Sequence, residues 1–181
     1  MAEIISAPER LTEFHNVNSF SCGKLALDHS LKTRALSNQN KGFTAVRVVH
    51  VENLVVGYYG LAPTAVVPNT LPRSVRTGQP PNPVPCLLLG QLAIDQNWAG
   101  RGIGAALTTH ALRQCVQAAE LIGGRALLVK AVDEDARAYW LRWGFISTLD
   151  DPFTLFRSIG DIAASIWARV AAAPQCVACV S

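Results

Sequence analysis

The sequence predicts a single α/β domain in which helices pack on a mixed β-sheet. Three features of the 181 residues indicate this fold: strand-like and helix-like segments alternate, two apolar runs are continuous enough to be buried on both faces, and a glycine-rich turn joins one of them to an alanine-rich helix. Half of the residues are hydrophobic and 16% are charged, which excludes a disordered chain. We expect one domain over residues 1–181, with an N-terminal strand or arm at 1–19 and a flexible tail at 172–181.

The N-terminal half is expected to contain one helix followed by a hairpin. The helix is predicted over residues 21–39 with Ser21 as its N-cap. Residues 43–51 and 54–61 are rich in β-branched and aromatic side chains, so they predict two strands joined by a turn at Glu52-Asn53. The expected buried stripe of the helix has spacings of three and four: Leu25, Asp28, Leu31 and Ala35.

The second half begins with a proline-rich segment and then alternates strands with helices. Residues 63–85 hold seven prolines of the chain's 10, so they predict an irregular surface loop. Residues 86–94 and 126–132 are apolar runs typical of buried central strands. Between them a helix is expected over about residues 103–121, ending at Gly123-Gly124 with a buried stripe of Leu107, Ala111, Cys115 and Ala118. The remaining predicted elements are a helix at 135–143 after Asp133, a strand at 153–156 and a helix at 160–171.

Composition gives expectations about location, metals and partners. The sequence has no apolar stretch of about 18 residues and no signal peptide, so we expect a cytoplasmic protein without membrane contact. Its five cysteines are expected to be free thiols, and its four histidines, His15, His29, His50 and His110, are scattered without a metal-ligand spacing. Residues 20–84 hold seven basic and two acidic side chains, a net charge of +5, whereas residues 85–181 balance eight against eight. The basic half favours an anionic partner.

The most informative segment is the glycine-rich turn at residues 100–104. It follows a buried strand and opens a helix, and glycine stands at every second position. Glycine lets the backbone approach a phosphate closely, while the first helical turn offers unpaired N–H groups and the positive end of the dipole. The spacing G-x-G-x-G is not that of a dinucleotide fold, and the G-K-[ST] of a P-loop is absent. The turn therefore predicts a pyrophosphate-binding loop.

Two motifs resemble the GNAT acetyltransferase superfamily. The first is Gly100-Arg-Gly102-Ile-Gly104 after the strand, and the second is Asp133-x-x-Ala136-x-x-Tyr139-Trp140-x-x-x-Gly144-Phe145. Further similarity, over nearly the whole chain, is to the GNAT toxins of bacterial toxin–antitoxin pairs. It rests on Phe20-x-Cys22-Gly23-x-x-x-Leu27-Asp28-x-x-Leu31, on Gly57-Tyr58-Tyr59-x-Leu61-Ala62, on the proline-rich loop, and on Asp151-Pro-Phe-Thr-Leu155 with Ile159-Gly-Asp161-Ile162.

This resemblance implies a GNAT fold, with a mixed, mostly antiparallel sheet flanked by helices, and an enzyme that uses acetyl-CoA and no metal. It further implies acetylation of the amino group of aminoacyl-tRNA, inhibition of translation, a ribbon-helix-helix antitoxin and a homodimer. The positions matching the family's CoA-binding residues are Leu92, Ala93, Ile94, Gly100, Arg101, Gly102, Ile103, Gly104 and Ala105. Trp140 matches the position of the family's catalytic tyrosine, and the adjacent Tyr139, where the family has Phe, could supply the missing phenol.

Three departures from the family's pattern leave alternatives open. The toxins have Phe-Tyr where this chain has Tyr139-Trp140, and that tyrosine protonates the departing thiolate. An indole N–H donates a hydrogen bond but is a much weaker acid than a phenol. In addition, Ala99 and Gln91 stand where relatives often carry Gln or Arg and a basic residue, respectively. The alternatives are an N-acetyltransferase of a protein or small-molecule amine, or a catalytically weakened homologue that only binds acyl-CoA or an antitoxin.

Overall fold

One seven-stranded sheet with the strand order β1-β2-β3-β4-β5-β7-β6 organises the chain. The structure, a computed structural model, describes residues 2–172. Only the pairing of β4 with β5 is parallel, and every other neighbouring pair is antiparallel. This confirms the predicted mixed, mostly antiparallel sheet. The strands are β1 Glu9–Arg10, β2 Ala45–Val51, β3 Leu54–Val66, β4 Val84–Ile94, β5 Ala126–Lys130, β6 Ile146–Ser147 and β7 Thr154–Ser158.

Helices cover both faces of the sheet. The first helical stretch contains three segments without a break: α1 Leu25–Ser30, a π-helical segment Leu31–Ala35, and α2 Leu36–Asn40. On the other face lie α3 Ile103–Ile122, α4 Glu134–Arg142 and α5 Ile159–Ala172. The side chain of Asp133 caps α4 by accepting the N–H of Ala136. None of the helices in residues 2–172 is long and apolar enough to cross a membrane.

The largest core cluster lies between the sheet and helices α3, α4 and α5. Leu107, Ala111 and Cys115 of the predicted stripe are at most 1% exposed. A second cluster beneath the first helices contains Phe20 and Leu31. A third lies beneath the loop that follows β3. The helix α3 therefore joins the sheet along the stripe that its sequence predicts.

The start of the first helix differs from the prediction. The helix begins at Leu25 and not near Ser21, and Lys24 occupies the N-cap position without a side-chain hydrogen bond. Gly23 adopts φ +85°, which turns the chain before the helix, and the backbone N–H of Ser21 donates to Asp95 instead. Leu25 is 86% exposed, so it does not belong to the buried stripe, whereas Asp28, Leu31 and Ala35 do.

The second strand of the hairpin, β3, is longer than predicted. Glu52 and Asn53 form its turn with positive φ angles of 48° and 69°, the geometry of a two-residue hairpin turn. Strand β3 continues to Val66 and β4 begins at Val84, so both ends of the predicted loop at 63–85 are strand. Pro63 and Pro85 are tolerated there because β2 has ended and β5 has not begun, which leaves one side of each strand unpaired.

Two sequence predictions fall at the chain ends. The N-terminal arm is an extended segment whose residues Glu9 and Arg10 pair with β2 as the edge strand β1. The predicted tail begins at the last residue of α5, and residues 173–181, including Cys176 and Cys179, lie outside the described part of the chain. The three described cysteines, Cys22, Cys86 and Cys115, are free thiols.

Candidate active site

The parallel strands β4 and β5 separate halfway along β4. Strand β4 pairs with β5 only from Leu87 to Leu89, although it continues to Ile94 beside β3. The register on β3 shifts at the same point, since Gly60 faces Gln91 and Leu61 faces Leu89, which makes Gly90 an extra, bulged residue. A bulge bends its strand. The residues of β4 beyond Gly90 therefore present an unpaired backbone edge to the gap left by β5.

A cleft of about 310 Å³ occupies this gap. Its walls come from the loop before α1, the free end of β4, the first turn of α3, and α4. The residues that line it are Cys22, Lys24, Leu27, Leu92, Ala93, Ile94, Gly104, Asp135, Ala136, Tyr139, Trp140 and Arg142. A smaller space of about 60 Å³ continues from it toward the point where the strands part, and Gln91 and Lys130 contribute to its lining.

The glycine-rich turn forms the start of α3 at one end of the cleft. Gly102 is the N-cap with φ +80°, a conformation that an L side chain rarely adopts, and a Cβ on it would meet no atom within 4 Å. The carboxylate of Asp95 fixes the turn because it accepts the N–H groups of Asn97 and Ser21. An anion can therefore approach this backbone from solvent.

The predicted cofactor-binding residues fall into three groups. Leu92, Ala93, Ile94 and Gly104 line the cleft together with the predicted catalytic pair. By contrast, Arg101, Gly102 and Ile103 border a second cavity, of about 280 Å³, beneath the N-terminal arm. Gly100 and Ala105 are exposed. The guanidinium of Arg101 lies over the Trp98 ring at 4.3 Å and pairs with Glu3, so this side chain is directed away from the cleft.

Tyr139 connects α4 to the first turn of α3. Its hydroxyl lies 2.6 Å from Thr108 Oγ1 and 3.3 Å from the carbonyl oxygen of Gly104. Thr108 donates to the same carbonyl at 2.9 Å, so the phenol proton is engaged within the protein. The tyrosine therefore has a hydrogen-bonded, structural position at the wall of the cleft.

Trp140 stands where the cleft and the smaller space meet, because it lines both. Its side chain is 7% exposed and packs edge-on against Tyr139 and Phe145. The indole N–H donates to none of the described residues, yet it is not a buried unsatisfied group and so retains contact with solvent. This aromatic ring therefore fills the junction between the two spaces.

The charge around the cleft is mainly positive. Lys24, Lys130 and Arg142 line the two spaces, and Asp135 is the only carboxylate among the residues that do so. Lys24 also pairs with Asp133 at 2.9 Å, which connects the loop before α1 to the start of α4. The N–H of Ala136 and then Lys24 lower the pKa of Asp133. Such an environment suits anionic ligands.

Cys22, the thiol in the cleft wall, does not have the properties of a nucleophile. Burial, followed by the neighbouring Asp28, raises its pKa to about 11. The thiol therefore stays protonated at neutral pH, when only the thiolate is reactive.

The structure brings together two of the histidines that the sequence leaves scattered. Glu9, His15 and His50 place their ligand atoms within 4.8 Å of one another. However, Nδ1 of each imidazole accepts a backbone N–H, from Thr12 and Asn53, so the proton resides on Nε2 and points to Glu9 Oε1. Because Nδ1 of each ring is already engaged, a metal would need the lone pair of Nε2. This cluster is a carboxylate held by two N–H donors.

Sequence reasoning missed several residues of the cleft. Lys24, Arg142 and Thr108 gave no motif, since each belongs to a different segment and only the fold brings them to the cleft and its wall. The bulge at Gly90 could have been predicted, because an isolated glycine inside an apolar strand indicates a bulge.

Comparisons with known proteins show similarity along most of the chain. The sequence profile of the Acetyltransferase (GNAT) family matches residues 11–145. A tRNA-acetylating toxin of Mycobacterium tuberculosis is 40% identical over 161 residues, which cover 89% of this chain and 96% of the toxin. The structure of AtaT complexed with acetyl-methionyl-tRNAfMet superposes with a TM-score of 0.82 at 27% identity, covering 90% of this chain and 99% of AtaT. A tyrosine-to-phenylalanine variant of AtaT, bound to the C-terminus of the antitoxin AtaR and acetyl-CoA, gives 0.76 at 26% identity, with 91% and 99% covered.

Proposed function

Because this chain belongs to the acetyltransferase (GNAT) family, we propose that it transfers the acetyl group of acetyl-CoA to the amino group of aminoacyl-tRNA and thereby inhibits translation. The observation that carries the proposal is the 40% identity to a tRNA-acetylating toxin along 96% of that toxin. AtaT, whose fold this chain shares, is bound to acetyl-methionyl-tRNAfMet. A cytoplasmic location follows from this acceptor, because translation uses aminoacyl-tRNA there.

The cleft suits the donor substrate. Acetyl-CoA supplies an activated acyl group, and direct attack of a neutral amine on its thioester needs orientation, an oxyanion donor and a stabilised thiolate. The unpaired edge of β4 at residues 92–94 offers backbone groups for the acyl and pantetheine portion, while the turn at residues 100–104 offers N–H groups to the pyrophosphate. Neither role needs a metal or a covalent nucleophile, in agreement with the protonated Cys22.

Proton transfer is the weakest part of this site. The sequence position of the family's acid is occupied by Trp140, whose free indole N–H can donate a hydrogen bond to a thiolate but cannot readily release a proton. Tyr139 already uses its hydroxyl between Thr108 and Gly104. We assign release of the amine proton to water, because the only carboxylate in the lining is Asp135 and no described histidine lines the cleft.

The acceptor is expected at the smaller space beside the cleft. Lys24 and Lys130 line it, and both are cations that can contact the phosphates at the end of a tRNA. Trp140 separates this space from the donor cleft and would lie next to the reacting amine.

Two protein partners accompany this function. An antitoxin is proposed because AtaT is bound to AtaR, and we expect this chain's antitoxin to be of the ribbon-helix-helix class. We also propose a homodimer. Co-expression with the neighbouring reading frame, followed by measurement of molecular mass, tests both proposals; a monomer that retains no partner contradicts them.

Transfer of radiolabelled acetyl groups from acetyl-CoA to tRNA tests the proposed function. Charged tRNA should acquire label and deacylated tRNA should not. Gly104→Val places a larger side chain beside Ile94 and Tyr139 and should abolish labelling, whereas Gln117→Val, at an exposed position of the same helix outside the cleft, should not. Equal labelling of deacylated tRNA, or none of either, contradicts the proposal.

Trp140 favours a second candidate function, that of a homologue which binds acetyl-CoA but transfers slowly or not at all. Loss of a general acid typically costs 10²–10⁴-fold in rate. Tight CoA binding without labelling of tRNA, protein or small-molecule amines would support this second function over the first.

A further inference from the structure

A second pocket, of about 270 Å³, is lined by arginines from four different elements. Arg113 lies on α3, Arg142 at the end of α4, Arg157 on β7 and Arg169 on α5. Along the sequence these residues are spread through the half with zero net charge. The fold therefore creates a concentration of positive charge that the linear sequence does not reveal.

These four arginines form no direct ion pair among the described residues. None of them is within 4.0 Å of a carboxylate oxygen or hydrogen-bonds to another described residue; the described ion pairs involve other cations. Residues 173–181 contain no Asp or Glu. Aromatic rings hold two of the guanidinium groups instead: Arg169 lies 5.4 Å from the Trp143 ring centre and Arg142 lies 6.0 Å from that of Tyr139.

Arg157 is the most enclosed of the four. Its guanidinium packs directly on the backbone of Gly144, where a Cβ would lie 3.3 Å from the guanidinium carbon. Burial lowers the pKa of Arg157, the charge of Asp161 opposes this change and that of Arg169 adds to it. A half-buried cation that faces other cations is unfavourable without an anion. An anion bound in the pocket would therefore stabilise the charge of Arg157.

We propose that this pocket binds a phosphate group. Guanidinium groups recognise phosphate through paired N–H donors, and four of them surround a space large enough for a phosphate and its ester. The remaining walls, including Leu112, Trp143 and Ile166, are apolar and suit the organic part of a phosphate ester. The pocket is separate from the glycine-rich turn, whose residues do not line it.

Two substrates carry such a phosphate. Arg142 lines both the pocket and the donor cleft, so the 3′-phosphate of CoA is one source. A phosphodiester of the RNA acceptor is the other, and this source rests on the proposed function. The CoA source rests only on membership of the acetyltransferase family, so the two are separable by experiment.

The CoA source is tested by the affinities for CoA and dephospho-CoA, measured by calorimetry. The variant carries Arg157→Gln and Arg169→Gln, and the matched control is Arg10→Gln, an exposed arginine on the edge strand β1 at the other side of the sheet. If the pocket holds the 3′-phosphate, the wild type and the control should prefer CoA by about tenfold or more, and the double variant should lose that preference.

The RNA source is tested by tRNA binding at several salt concentrations. If the pocket holds a phosphodiester, the plot of log affinity against log salt should become less steep by roughly 1–2 in the double variant and stay unchanged in the control. This measurement needs no acetyl transfer, so an inactive enzyme would contradict the proposed function without contradicting the site.

A change in either measurement supports the site and identifies its ligand. If the double variant retains the wild-type CoA preference and the wild-type salt dependence, the proposal is wrong. Thermal unfolding of the double variant must resemble that of the control; should it unfold, Arg169→Gln alone, at an exposed position, provides the same two measurements.

Discussion

Adjacent aromatic residues, Tyr139 and Trp140, have different surroundings in the wall of the cleft. The phenol of Tyr139 joins α4 to the first turn of α3 through Thr108 and Gly104. The indole of Trp140 fills the junction of the cleft and presents one N–H. An exchange of these roles would need a rotation of about 100° around the helix, the angle between successive residues. Strong acid catalysis is therefore not expected from either side chain.

Three substitutions test these interpretations of Tyr139 and Trp140. Trp140→Tyr should raise kcat by about tenfold or more, because it restores a phenol at the junction. Trp140→Phe keeps an aromatic ring but removes the donor, so it should not raise kcat.

Tyr139→Phe should lower kcat by less than about tenfold and act mainly through a higher KM for acetyl-CoA, because the first turn of α3 loses a contact. Steady-state kinetics on charged tRNA gives both parameters. A fall of more than about 100-fold in kcat for Tyr139→Phe would identify this tyrosine as the acid.

The helix α3 contributes side chains to the largest core cluster and its first turn to the candidate active site. Its buried stripe packs against β3 and β4 with Leu107 at 1% exposure, while its first turn carries Gly102 and Gly104. The same rigid element thus positions the glycine-rich turn relative to the free end of β4. Loosening this packing would displace the site as well as destabilise the fold.

Leu107→Ala should lower the free energy of unfolding by about 2–5 kcal/mol, because it leaves a cavity in the largest core cluster. The same substitution at Leu121, which is 85% exposed on the same helix, should change stability by less than about 0.5 kcal/mol. Urea unfolding of both variants measures the difference. Similar losses for the two positions would contradict the described packing of α3.

The start of α4 gives a prediction about pH. The N–H of Ala136 and Lys24 lower the pKa of Asp133 below its unfolded value of 3.8, so its charge stabilises the folded state above that pH. The contribution is lost as pH falls through the lowered pKa. Asp133→Asn keeps a capping oxygen but removes the charge, so its Tm should lie below that of the wild type at pH 7 and approach it near pH 2. Asp150→Asn, at an exposed aspartate, is the control and should lack this trend.

For the whole molecule, the cleft couples ligand binding to the stability of the fold. It is formed by the loop before α1, the free end of β4, α3 and α4, so a ligand in it joins both faces of the sheet. Binding to the folded state alone adds stability that grows with ligand concentration. Acetyl-CoA at about 100 times its Kd should add roughly 2.7 kcal/mol and raise Tm by about 5–10 °C.

Differential scanning calorimetry with and without acetyl-CoA measures this shift. Gly104→Val should abolish it, because the added side chain occupies the cleft beside Ile94, while Gln117→Val, at an exposed position of the same helix, should retain it. A shift that persists in Gly104→Val would place acetyl-CoA somewhere other than this cleft.

The sequence by itself determined the elements, because hydrophobic period, turn residues and caps act over a few neighbouring positions. The stripe of α3, the helix after Asp133, the turn at Glu52-Asn53 and the glycine-rich turn at residues 100–104 were all predicted in this way. The resemblance in motifs then led to the family. Local signals failed at Ser21, where Gly23 turns the chain away and the side-chain oxygen accepts a hydrogen bond from the distant Gln96 instead of capping the helix.

Only the tertiary structure decided what these elements enclose. The bulge at Gly90 opens the gap between β4 and β5, and Lys24, Tyr139 and Trp140 meet there from separate segments. The four arginines also meet only in the folded structure. Acidic residues in the same half of the sequence balance their charge in a count along the chain, but none of those acidic residues lines the pocket. Electrostatic and steric interactions depend on distance in space, and a sequence records only distance along the chain.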